Sequence, residues 1–555
     1  MSVSTPNVKR AAYAALFFFS AAAAAQLAAP EIDSERVERD AAYAKKYMVA
    51  AADPRAVEAG LEMLRAGGSA ADAAIAAQLV LGLVEPQSSG LGGGAFALTW
   101  TEKGRRLRSY DARETAPAAA QPDRFLDRHG NPEQFMQAVA SGRSVGVPGV
   151  PRLLETLHRE HGRLAWRRLF APAMRLAEGG FGKTRRLARQ LDQEQLLRKD
   201  PAARALFYAG PRIVNREYAA TLKILQKKGA DGFYRGAIAA DIVRAVNADL
   251  AAQDLARYRV IEREPVCGAY RSHRICGVGP PSGGATGVLQ ILGILERTDF
   301  ARAAPQSVEA VHLFSEAARL AYADRAQYVG DPGFVDVPVA KMLDGRYLAA
   351  QSKRIGERSM GYALPGTLDP EAPGTSHLSV VDAEGNAVSM TSSIEMGFGS
   401  RILVRGFLLN NQLTDFSFRP EVLGRPAVNR VGGGKRPRSS MSATVVFDRD
   451  GRLKMLLGSP GGLTIINYVA RTLVATLDWG MDIQQAISAP NFGSTNGPTF
   501  LERGSALEAL GDALAERGHV LNFARLTSGL HGIERVPGGW RGGADPRRAG
   551  IAEGR

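Results

Sequence analysis

The sequence predicts an α+β fold in which sheets and helices stack as layers, and three observations predict it. Helical periodicity dominates the first two thirds, and β-rich runs paired about turns dominate the last third. Within the first third lies a helical segment, Ala70 to Leu83, so poor in charge that no face of it can meet water, so helices must cover the sheet. With 555 residues, 45% hydrophobic and 23% charged, the chain can bury a large core, which excludes disordered and fibrous classes. Length alone suggests several domains of roughly 150 residues, but layered α/β enzymes exceed that size, and the count stays open.

The elements follow in chain order. Lys9-Arg10 precede the uncharged run Ala11 to Ala25, which holds Leu16-Phe17-Phe18-Phe19 and ends in an Ala-rich stretch that fits an Ala-x-Ala cleavage rule. A bilayer span needs about 20 apolar residues, so the pattern predicts a secretory signal peptide over residues 1–25, removed near Ala25. Retention as an uncleaved anchor is the alternative. No later stretch is long and apolar enough to span a membrane, so the expected mature protein is exported, periplasmic or secreted, and soluble. Pro54 to Ala66 carries Val57, Leu61 and Leu64 on one helical face, Gly67-Gly68 stops it, and Ser69 caps a second, Ala-rich helix over Ala70 to Leu83.

The cluster Gly90 to Gly94 satisfies G-x-G-x-x-G/A on paper through Gly90, Gly92 and Ala95, but it follows a helix and opens a strand, Ala95 to Trp100. A dinucleotide fingerprint has the opposite context, so close backbone packing is the reading here. Val147 to Val260 is helix-rich, and residues 305–330 form another buried helix. Ser379 to Asp382 and Ala387 to Thr391 flank Glu384-Gly385-Asn386 as a hairpin, and Thr444 to Phe447 pairs with Leu453 to Leu457 about Asp448 to Gly451.

Charge and cysteine content narrow the class. The 70 Lys+Arg against 56 Asp+Glu give +14, yet the basic residues are scattered, with no aromatic-interleaved stripe, so no nucleic-acid partner is expected. Such a field draws anionic small substrates toward a cleft. The two cysteines, Cys267 and Cys276, sit in two short strands around a turn. A cross-strand disulfide and a pair of separate small apolar residues both stay open. No HExxH, CxxC, Walker loop or nucleophile elbow is present, and the eight His lack metal-ligand spacing, so neither metal nor cofactor is expected. What remains is a hydroxyl at a strand start, Thr375 in Pro373-Gly374-Thr375-Ser376-His377-Leu378-Ser379-Val380-Val381-Asp382. A Gly-Thr pair alone carries no meaning.

Its surroundings do. That run, Phe398-Gly399-Ser400, Leu409 to Ser417, Lys435 to Ser442 and Gly458-Ser459-Pro460-Gly461-Gly462 closely resemble the γ-glutamyltranspeptidase family. The resemblance extends upstream through Gly67 to Ala74, the glycine cluster, Tyr110 to Pro117 and Pro280 to Gly284, and covers residues 46–550. It implies an N-terminal nucleophile hydrolase: a four-layer αββα sandwich formed jointly by two subunits of one precursor that cuts itself before Thr375. The pieces would be a large subunit, 26–374, and a small subunit, 375–555, that stay associated. In the precursor Thr375 Oγ would attack the Gly374 carbonyl, and water would cleave the resulting ester. The freed α-amine, with an ordinary pKa of about 8, can then serve as the base for the Thr375 hydroxyl.

The resemblance also implies roles by position. Gly461 and Gly462 supply an oxyanion hole from backbone N–H groups, and Ser393 supports the nucleophile. Arg113 pairs with the donor α-carboxylate together with Ser439 and Ser440, while Gln412 and Asp415 hold the α-ammonium. Glu395 stands where glutathione-active members commonly have asparagine, and residues 418–434 form a short lid segment. The implied activity is cleavage of the γ-glutamyl amide of glutathione or another γ-glutamyl donor, with transfer to water, an amino acid or a dipeptide. A cephalosporin or glutaryl acylase-like amidase and a non-catalytic exported binding protein are the alternatives.

Overall fold

Strict alternation of side chains builds two sheets at the centre of the protein. In the strand Met48–Ala51, Met48 and Ala50 face one apolar cluster while Val49 and Ala51 face another; in Gly94–Thr101, Phe96, Leu98 and Trp100 oppose Ala95 and Ala97 in the same way. Both faces are therefore covered. The computed structural model describes residues 36–364 and 374–555. The expected signal peptide, residues 1–25, lies outside the described residues.

Each central sheet has seven antiparallel strands. One runs Ile551–Gly554, Met48–Ala51, Thr375–Val381, Ala387–Ser393, Gly94–Thr101, Arg106–Ala112 and Ile261–Arg263; the other runs Ala42–Ala44, Gly539–Ala544, His531–Val536, Leu453–Gly458, Thr444–Phe447, His273–Gly277 and Val266–Tyr270. Each sheet mixes strands from before and after Gly374. The expected hairpins form, and Cys267 lies directly opposite Cys276 and is disulfide-bonded to it.

Helices cover the outer faces and complete the αββα layering. Against the first sheet lie Pro54–Arg65 and Ala70–Val84. All 15 residues of Ala70–Val84 are buried, and its start is fixed by a capping box in which Ser69 Oγ accepts from Asp72 N and Asp72 Oδ2 accepts from Ser69 N. Gly284–Leu295, Val308–Tyr328, Ile465–Leu477 and Ile483–Ser488 form the helical side of the second sheet's core. At the glycine cluster a Cβ on Gly92 would run into the Leu408 carbonyl and one on Gly93 into that of Ser393, so these glycines permit close backbone approach.

Candidate active site

Register places the first hydroxyls. Thr375 opens its strand directly opposite Ser393, the last residue of Ala387–Ser393. Thr375 Oγ1 donates to Ser393 Oγ at 3.3 Å, and Ser393 Oγ donates to the Gly374 carbonyl at 2.6 Å while accepting from Glu395 N at 2.8 Å. Three hydrogen bonds thus meet at Ser393 Oγ, and one of them reaches the carbonyl of the peptide bond between Gly374 and Thr375. A Cβ at Gly374 would collide with the Glu395 carbonyl, so the site tolerates no side chain there. Glu395 itself holds a left-handed φ of 77°, a strained backbone for a non-glycine residue, which aims its N–H at Ser393.

Charged groups gather beside this hydroxyl pair. Arg113, at the end of the strand Arg106–Ala112, donates from Nη2 to Asp415 Oδ2 and to the Arg438 carbonyl at 2.7 Å, and from Nε to the Pro437 carbonyl at 3.2 Å. Gln412 and Asp415 share the short 3₁₀ turn Gln412–Asp415, where Gln412 Nε2 donates to Asp415 Oδ2 at 2.5 Å. Gln412 Oε1 is buried without a partner among the described residues. The turn is held by Asn410, whose Oδ1 accepts from Gln412 N and Gly146 N and whose Nδ2 donates to the carbonyls of Gly92 and Gly146. Asn411 Nδ2 donates to Glu395 Oε2 and Asn411 Oδ1 accepts from Met396 N, fixing that carboxylate. Ser440 Oγ accepts from Arg325 at 2.7 Å, and Ser439 Oγ accepts from Met441 N at 3.1 Å.

These groups line one small cavity of ≈ 20 Å³: Arg113, Thr375, Ser393, Glu395, Gln412, Asp415, Ser439, Ser440 and Gly462, with Met441 and Ile465 as apolar wall. Gly461 lies just outside that wall. Gly461 and Gly462 both have positive φ, 136° and 56°, at the entry to Ile465–Leu477. Neither N–H has an internal acceptor among the described residues, which leaves both donors available at a helix entrance. His377, though close in sequence, does not line the cavity. It is fully buried between Thr391 Oγ1 at 2.9 Å and Ser379 Oγ at 3.1 Å, and burial holds its pKa well below the usual value.

One residue absent from the sequence-derived site alters its electrostatics. Glu114 is completely buried with its carboxylate 3.9 Å from Arg113 Nη1, and burial pushes its pKa up to about 8 against the pull of Arg113. It is therefore largely protonated at neutral pH. Asn410, Asn411 and Arg325 also make polar contacts to site residues that the sequence reading did not assign. Glu114 and Asn411 lie inside the motifs Tyr110 to Pro117 and Leu409 to Ser417, so position within a motif was the available signal.

The model of the family described as gamma-glutamyltranspeptidase matches residues 56–555. The chain belongs to the gamma-glutamyltranspeptidase family. A family relative from Escherichia coli (strain K12), named glutathione hydrolase proenzyme, is 36% identical over 515 residues, 87% of this chain and 88% of that protein. Acylase ACY 1 proenzyme of Pseudomonas sp. (strain SE83) is 34% identical over 540 residues, 94% of this chain and 95% of that one. Among solved structures, cephalosporin acylase from Bacillus halodurans superposes with a TM-score of 0.84 at 28% identity, covering 95% of this gamma-glutamyltranspeptidase family member and 99% of that chain. The relatives of this chain thus include proteins named glutathione hydrolase and proteins named acylase.

Proposed function

We propose that the chain is a self-cleaving γ-glutamyl hydrolase and transferase that uses Thr375 as its nucleophile. The observation that carries this reading is one cavity holding the Thr375 hydroxyl together with a guanidinium, two carboxylates and a partnerless amide oxygen. An α-amino acid head carries one carboxylate and one ammonium. Arg113, Ser439 and Ser440 suit the carboxylate; Asp415, Glu395 and Gln412 Oε1 suit the ammonium.

Self-cleavage follows from the hydrogen bonds already described. Ser393 Oγ–H polarises the Gly374 carbonyl, and the Thr375 proton points to Ser393 Oγ, so the Thr375 oxygen can attack the Gly374 carbon. The C–N bond breaks, the nitrogen takes a proton to become the new α-amine, and water hydrolyses the ester to leave subunits 26–374 and 375–555. In the mature enzyme that amine accepts the hydroxyl proton as Thr375 Oγ adds to the donor's γ-carbonyl. The N–H groups of Gly461 and Gly462 receive the oxyanion, an effect of roughly 3 kcal/mol per donor. The leaving amine departs protonated, and water or the amine of an amino acid or dipeptide then attacks the Thr375 ester.

The acylase reading draws on the relatives named for that chemistry. Two carboxylates opposite one arginine favour a donor bearing an ammonium over a glutaryl group, which lacks one. Export rests on the Lys9-Arg10 leader pattern and agrees with the Cys267–Cys276 disulfide; no helix of the described residues is long and apolar enough to cross a membrane. Purified processed protein should release p-nitroaniline from γ-glutamyl-p-nitroanilide much faster than from glutaryl-p-nitroanilide. Turnover of the glutaryl compound alone would establish the acylase reading, and a single uncut band without turnover would establish a binding protein.

A further inference from the structure

Away from the active-site cavity, the long helix Val308–Tyr328 carries His312 and Glu316 one turn apart on a buried face, where they meet His519 from the far end of the chain. The three side chains offer ligand atoms that all lie within 4.8 Å of one another. The two histidines are 207 residues apart, so chain-local spacing could not reveal the set.

Hydrogen bonding fixes how the imidazoles face. His312 Nε2 lies 2.8 Å from the Gly356 carbonyl, which can only accept, so Nε2 carries the proton and Nδ1 presents a lone pair. That lone pair points at His519 Nε2, 2.8 Å away. His519 Nδ1 is 2.8 Å from Thr499 Oγ1, which also accepts from Arg319 Nη2 at 2.7 Å. The contact between the two rings closes in one of two ways: a proton on His519 Nε2, or a cation bound to both nitrogens. Glu316 supplies a carboxylate beside it, with Oε1 accepting from Arg319 Nε and Ser359 Oγ and Oε2 accepting from Met360 N. Every ligand is thus gripped from behind by a carbonyl, a hydroxyl or a guanidinium, the outer support that metal-ligating side chains require. A surface groove bordered by Glu309, His312, Ile355 and Arg517 gives an ion a way in.

We propose that His312 Nδ1, His519 Nε2 and the Glu316 carboxylate bind a divalent transition-metal ion, zinc being the one whose chemistry suits two imidazoles and a carboxylate. Binding releases no proton: that of His519 moves from Nε2 to Nδ1, where Thr499 Oγ1 accepts it. Zinc–nitrogen bonds of about 2.0–2.1 Å in a tetrahedral site set the two nitrogens about 3.3 Å apart, so the rings open by about half an ångström from their present 2.8 Å. The ion would tie the helix Val308–Tyr328 to the segment around His519, on opposite sides of the proposed cut.

The test uses untagged, processed protein, stripped with a chelator and then incubated with zinc alone. It should retain one zinc per molecule after desalting, and cobalt(II) in its place should give visible d–d bands of a nitrogen-ligated four- or five-coordinate ion. His519→Gln and Glu316→Gln should each weaken zinc binding at least tenfold, and turnover of the γ-glutamyl donor should stay unchanged. Wild-type protein that retains no zinc overturns the proposal, as does a cobalt spectrum unaltered in both variants; the cluster is then a proton-bridged histidine pair. If neither variant folds, wild-type stoichiometry and the cobalt spectrum decide the matter by themselves.

Discussion

The two ends of the active-site cavity are built from opposite materials. At one end Thr375, Ser393 and the Gly461–Gly462 turn offer only hydroxyls and backbone amides. At the other, Arg113, Asp415 and Glu395 bring three formal charges into a space from which water is largely displaced, cross-braced by Asn410, Asn411 and Gln412. On the proposed reading the neutral end carries out acyl transfer and the charged end selects the donor.

Breaking the neutral end should give the largest effect. Thr375→Ala should leave a single uncut chain on a denaturing gel and reduce γ-glutamyl-p-nitroanilide turnover to background; two bands with unaltered turnover would place the nucleophile elsewhere. Ser393→Ala removes the donor to the Gly374 carbonyl and should slow self-cleavage by about 10²–10³-fold, read as the half-time of the uncut band. At the charged end Arg113→Ala should permit normal processing and raise KM for a γ-glutamyl donor about 10²-fold, near 3 kcal/mol of lost ion pairing. An unchanged KM would remove Arg113 from donor binding.

The smallest effect sharpens the comparison through pH. With its pKa pushed up to about 8 by burial, Glu114 is neutral below that value and becomes an anion beside Arg113 above it. The added negative charge competes with the donor α-carboxylate, so KM should rise a few-fold as pH passes through 8, separately from the change in kcat as the Thr375 α-amine loses its proton near the same value. Glu114→Gln should abolish that rise. A KM profile identical in the two proteins would show that Glu114 does not titrate in this range.

The layered fold was legible because alternation and helical period are local signals. Met48 to Ala51 and Gly94 to Thr101 state their two-faced burial residue by residue, and Ala70 to Val84 has no polar face to misplace. The resemblance brought Arg113, Gln412, Asp415, Ser439 and Ser440 into view because each sits in a contiguous motif, and the structure gathers them around one cavity. Glu114 escaped because its significance lies in burial, which no motif displays. The approach of Arg325 to Ser440 and of His312 to His519 escaped because each joins distant segments whose encounter is a property of the folded sandwich. The cysteine pair was settled only by register, which sets Cys267 opposite Cys276.

The mixed ancestry of the two sheets has a consequence for the life of the mature molecule. In one sheet Met48–Ala51 is hydrogen-bonded between Ile551–Gly554 and Thr375–Val381; in the other, Thr444–Phe447 pairs with His273–Gly277. After the proposed cut before Thr375, neither fragment owns a complete sheet, and parting them means dismantling both. Exchange of a fragment between molecules would therefore require unfolding both sheets.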